Sequence, residues 1–116
     1  MSKFRDLRVS SLIREELGKI MLKELEFDGA LVTITEVDVS EDLENATVNV
    51  SVIPSEKAEK VLEVLGKFRS RLQFLLQRKI EIKPMPHIVF RIDHGLEKAA
   101  ELEKVFLEVE KEEKSK

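Results

Sequence analysis

Apolar residues recur at steps of three and four along residues 56–78: Ala58, Val61, Leu62, Leu65, Phe68, Leu72, Leu75 and Leu76, with Ile80 just beyond. That spacing gives a long helix, from Glu56 to about Arg78, one buried face. Pro54 ahead of it reads as a strand stop, and Ser55 as the residue that caps the helix. Behind the helix, Pro84 and Pro86 forbid further helix and set up an extended segment. Ile88, Phe90 and Ile92 then alternate as one face of a strand.

Leu7, Val9, Leu12, Ile13, Leu17, Ile20, Met21 and Leu25 form a second helical stripe, which predicts a first helix over residues 7–25. Ser10 or Ser11 is an alternative cap, with residues 5–8 as a lead-in. Gly18 inside this helix costs up to about 1 kcal/mol relative to Ala, so close packing is expected there. Phe27-Asp28-Gly29-Ala30 is a turn, and Leu31 to Val39 is rich in β-branched residues and predicts a strand. Val32 and Ile34 share one parity, Val37 and Val39 the other, and a bulge near Glu36 reconciles them. Residues 40–45 make a hairpin loop. Ala46, Val48, Val50 and Val52 then alternate with Thr47, Asn49 and Ser51, a strand buried on one face. After Asp93-His94-Gly95, Leu96 to about Val109 has helical spacing, and residues 110–116 hold no apolar anchor and read as a disordered tail. The order helix, strand, strand, helix, strand, helix predicts an α+β fold with the helices on one face of a three-stranded sheet. Its 116 residues suffice for one core, so residues 1–109 are read as a single domain.

The net charge of −3 disfavours a polyanion as partner, but its distribution does not. Residues 1–23 hold six bases against three acids, and residues 24–66 two bases against eleven acids. Residues 67–91 hold seven bases against one acid, and residues 92–116 five against eight. Exposed charges act over about 8 Å at physiological salt, so local bias matters more than the total. Two basic segments separated by an acidic one predict a two-sided molecule.

Candidate catalytic chemistry is thin. With no cysteine, disulfides, thiolate metal sites and cysteine nucleophiles are excluded, and a cytoplasmic location fits. No apolar run approaches the roughly 20 residues of a membrane span. His87 and His94 stand apart from any second ligand at helical spacing, and read as turn or surface histidines. The acids of residues 36–44 lack the glycine and closing glutamate of an EF-hand loop, and no glycine-rich phosphate loop occurs. The chain therefore reads as a binding protein without cofactor or metal rather than an enzyme.

Singly, each Lys or Arg on a wet helix face is a solubilising residue. The seven-to-one bias of residues 67–91 is the exception, and it gains weight if that segment lies beside the bases of the first helix. The chain has neither Tyr nor Trp, which favours recognition of backbone and shape over stacking on single-stranded bases. A rival reading is an adaptor that offers its acidic segment to a basic partner such as a ribosomal protein.

Arg8–Leu17, Val32–Leu43, Ala46–Val52 and Pro86–Asp93, in this order and spacing, resemble the ribosome-binding factor A family over roughly residues 5–106. The resemblance implies a type-II KH-like fold in which a kink in the long helix replaces the GxxG loop. It also implies binding to the 30S subunit and its 16S rRNA during late maturation and rRNA processing, with a role in cold adaptation; a monomer is expected. The family's kink reads Ala-x-Gly. Here Phe68-Arg69-Ser70 aligns with it, and Gly66 lies one turn earlier, so either Ser70 or Gly66 marks the kink. The expected RNA contacts are Arg5, Arg8, Arg14 and Lys19 on the first helix, and Lys67, Arg69, Ser70, Arg71, Arg78 and Lys79 on the long one.

Overall fold

The computed structural model describes the backbone of residues 2–95 and the side chains of residues 7–95. Helix α1 spans Ser2–Glu24, strand β1 Leu31–Val39 and strand β2 Asn45–Ile53. A single 3-10 turn at Ser55–Lys57 leads into helix α2, Ala58–Lys79, and strand β3 is His87–Ile92. The expected C-terminal helix and tail, and the side chain of Arg5, lie outside the described residues.

The sheet order is β1-β2-β3, with β1 antiparallel and β3 parallel to β2. A parallel pair needs a crossover, and α2 supplies it. The two helices pack side by side, α1 against β1 and α2 against β3, on one face of the sheet. Ile13 and Leu17 from α1, Val48 and Val50 from β2, Leu65, Leu72 and Leu76 from α2, and Ile88 from β3 are fully buried between the layers.

The bulge in β1 is where the parity change demands it. Pairing runs Ile34 to Val50, then Glu36 to Asn49, and Thr35 is the extra residue. The slip returns Val37 and Val39 to the inner face beside Ile34, all three buried. Thr35 does more than fill the register. Its hydroxyl donates to Asp93 Oδ2 at 2.7 Å, while the Asp93 backbone N–H donates to the Val50 carbonyl at 2.7 Å. One residue past β3 thus ties all three strands together.

Hydrogen bonds from the Gly95 backbone N–H, at 2.9 Å, and then from the Thr35 hydroxyl hold the Asp93 carboxyl below the ordinary aspartate range, assisted by His94. The folded state therefore releases this proton at lower pH than the unfolded chain does. Its contribution to stability is complete above about pH 4 and is lost as pH falls below that. Asp93→Asn keeps the shape and removes the titration. Thermal melting between about pH 5 and pH 2.5 should show a shallower acid loss in this variant than in the native chain, and identical slopes would remove Asp93 from the acid transition.

Three local expectations change. α1 begins at Ser2, so Ser10 and Ser11 lie in mid-helix and cap nothing. The Ser10 hydroxyl instead donates to the Leu7 carbonyl at 2.9 Å. Ser55 forms no cap hydrogen bond. The chain makes a 3-10 turn first, closed by Lys57 N–H on the Pro54 carbonyl at 3.1 Å, and α2 starts at Ala58. Gly18 is not a point of close approach, because a Cβ there would meet no atom within 4 Å.

Between α2 and β3, Gln73 acts as a clamp. Its Nε2 donates to the Pro86 carbonyl and its Oε1 accepts from the Ile88 N–H, both at 2.8 Å. Parallel pairing with β2 uses only one edge of β3, so Gln73 satisfies a group on the other. In the hairpin loop, Leu43 adopts φ 62°, a left-handed conformation costing a leucine about 1–2 kcal/mol, and buries its side chain in the core.

Candidate nucleic-acid interface

Helix geometry sorts the bases of α2 into two groups. At 100° per residue, Lys67, Arg71 and Arg78 fall on one stripe opposite the buried Leu65, Leu72 and Leu76. All three side chains are exposed. Arg69 lies four residues after Leu65 and turns inward toward β3. Its Nη1 donates to Nδ1 of His87 at 3.3 Å. Ser70 is exposed beside the stripe. Lys79, also exposed, is the last residue of the helix, where Arg78 and Lys79 complement the negative end of the helix dipole. Helical structure is continuous through both Gly66 and Ser70.

The first helix contributes less than its composition promised. Lys19 pairs with Glu15 at 3.6 Å and Glu16 at 3.4 Å, so its field is largely cancelled. Arg14 lines a groove of about 620 Å³ between α1 and the free edge of β1, on the flank away from α2. Arg8 is exposed, beside Leu12 and Glu15. Arg14 thus leaves α1 toward the β1 edge, whereas Arg8 and Lys19 share one stripe on the wet face of α1, where Lys19 is offset by its two glutamates.

Arg71 is the link between the helices. Its Nε and Nη2 donate to Oε2 of Glu24 at 3.3 and 3.2 Å, with the arginine side chain still 60% exposed. An exposed pair of this kind contributes about 0.2–1 kcal/mol, so a phosphate can replace the carboxylate at small cost.

Sequence reasoning missed Phe74. It lies within the stripe, between Arg71 and Arg78, and is 57% exposed. The Arg78 guanidinium sits 5.9 Å from its ring centroid. The signal was present in the sequence, since Phe74 falls outside the apolar positions of α2. With neither Tyr nor Trp in the chain, its six phenylalanines are the stacking rings it has.

Part of the acidic segment occupies the opposite side, although Glu24 meets Arg71 and Glu59 and Glu63 are exposed on α2 itself. Glu36 and Asp38 project from the sheet face away from the helices, and both are exposed. In the hairpin loop Asp42 accepts from the Ser40 hydroxyl and, at 3.0 Å, from the Glu44 N–H, and these two bonds hold its carboxyl below the ordinary range. Its Oδ1 serves the loop itself. Among the described residues no cluster of three potential ligands could hold a metal ion, and no helix is long and apolar enough to cross a membrane.

Comparison with known proteins bears on the family and the fold. Residues 5–106 match the family model described as ribosome-binding factor A. A ribosome-binding factor A from Rippkaea orientalis is 39% identical over 95 residues, covering 78% of this chain and 74% of that protein. The crystal structure of ribosome-binding factor A from Thermus thermophilus superposes with a TM-score of 0.64 at 21% identity, over 75% of this chain and 94% of that one. A homology model of the Thermus thermophilus protein, fitted into the cryo-EM map of its 30S complex, gives 0.62 at 23% identity, over 73% and 91% of the chains. At these identities the two structures speak for the fold, the KH-like arrangement of α1-β1-β2-α2-β3.

Proposed function

The chain belongs to the ribosome-binding factor A family, and from that premise we propose that it binds the 30S subunit through 16S rRNA and assists its late maturation and rRNA processing in the cytoplasm. It works as a monomeric, single-domain binding factor without catalysis. The observation that carries this reading is the stripe of Lys67, Arg71 and Arg78 on the wet face of α2, which gives a net acidic chain a local site for a polyanion.

Pelleting with purified subunits tests it. The protein should sediment with 30S and not with 50S subunits. If three phosphates are neutralised, affinity should fall roughly 20- to 40-fold between 50 and 200 mM salt. Equal pelleting with both subunits, or binding indifferent to salt, would overturn the reading.

A second reading rests on Glu36 and Asp38, exposed on the sheet side, which suit a basic protein partner. Binding to bare 16S rRNA separates the two. The stripe predicts that it persists, whereas an acidic docking face predicts that it vanishes.

A further inference from the structure

Phe74 is exposed on α2 and is not part of its buried face. The core of α2 is complete without it, through Ala58, Val61, Leu65, Leu72 and Leu76. A singly exposed apolar side chain is ordinary on a protein surface, and what sets Phe74 apart is that it is an aromatic ring set among cations. Its immediate neighbours on the stripe are cations: Arg71 one turn before, Arg78 one turn after, and Lys67 two turns before. Arg78 lies over the ring at 5.9 Å, the arrangement by which a guanidinium fixes an aromatic plane. Among the described residues no other cation or ring engages Phe74.

We propose that Phe74 is a stacking platform for one unpaired base of a single-stranded RNA segment, whose phosphates lie along Lys67, Arg71 and Arg78. The inference rests on the RNA-binding reading above and narrows its ligand. Between Lys67 and Arg78 the helix rises about 16 Å, enough for a few nucleotides of extended strand. A duplex keeps its bases stacked on one another and offers the ring nothing, whereas an unpaired base exposes a π face that any aromatic side chain can take. The three cations attract the phosphates of either form, and Phe74 supplies the preference for the unpaired one.

The absence of Trp and Tyr makes the test clean. Phe74→Trp places the chain's single indole at the platform. Titration with single-stranded oligoadenylate should quench its fluorescence, and a polyphosphate of equal charge, which has no bases, should not. In parallel, Phe74→Ala should weaken the binding of oligoadenylate roughly 5- to 150-fold relative to the native chain while leaving duplex RNA affinity unchanged. A melting curve confirms that this exposed substitution leaves the fold intact. The proposal is overturned by an unquenched indole at saturation, by no binding of oligoadenylate to the native chain, or by equal losses for single strand and duplex. A Phe74→Ala protein that pellets with 30S subunits as tightly as the native chain, and binds oligoadenylate as well, sinks the platform alone. Failure of the native chain to pellet with 30S sinks the ribosomal reading instead.

Discussion

Replacing Lys67, Arg71 and Arg78 together by Glu is expected to abolish detectable pelleting with 30S subunits, a loss of roughly 100-fold or more. Each native side chain can give a phosphate a charge-assisted hydrogen bond contributing about 1.5–3 kcal/mol, and reversal substitutes repulsion. The salt dependence should flatten as well, by about one unit of slope for each phosphate contact removed. The fold should survive, since all three positions are exposed on the side of α2 opposite its core face. Losing the Arg71–Glu24 pair costs at most about 1 kcal/mol, and an acid near the helix C-terminus costs about 0.3–1 kcal/mol more. Arg69→Glu is the internal control. Arg69 faces β3 and His87, so its reversal should leave 30S affinity within about 2–3-fold of native, a change of the size surface substitutions usually make. Wild-type affinity in the triple variant, with an intact melting transition, would show that the RNA lies elsewhere on the molecule.

The strands were legible because β structure here obeys a local rule. Alternation along Ala46–Val52 and the parity change in β1 are properties of neighbouring residues, and both strands and the bulge appear where those patterns place them. The ends of the helices were less legible. Ser10 and Ser55 have the chemistry of caps, but whether a hydroxyl caps depends on the backbone before it. Residues 2–6 are helical in one case, and a 3-10 turn intervenes in the other. The site was half legible. A charge tally finds the basic segment but not the direction of each side chain. Arg69 and Phe74 could have been sorted by helical angle alone. The Arg71–Glu24 pair joins residues 47 apart and required the packing of α1 against α2. Lys19 and Glu15 were neighbours at helical spacing from the start, and their mutual cancellation could have been discounted in advance.

Leu72→Ala should be the most damaging single truncation on α2. Leu72 is fully buried, between Leu65 and Leu76 on the inner face of the helix, and its removal deletes apolar contact and leaves a cavity. Comparable substitutions cost about 2–5 kcal/mol, against a total stability of roughly 5–15 kcal/mol for a domain. The upper part of the range is expected here, because relaxation is restrained. Gln73, the next residue, is pinned to Pro86 and Ile88 across two hydrogen bonds, so the helix cannot sink into the space without breaking the clamp on β3. Urea denaturation should show a lower midpoint with an unchanged slope, the mark of lost stability rather than altered unfolded state. Leu22→Ala provides the contrast. That side chain is 87% exposed on α1 and its truncation should alter stability by no more than about 0.5 kcal/mol. The molecules of the Leu72→Ala variant that remain folded should still bind 30S subunits, because Lys67, Arg71 and Arg78 project from the opposite side of the helix. A Leu72→Ala cost below about 1 kcal/mol would mean that α2 is not seated on the sheet by this residue, and that the stripe it presents has no fixed orientation.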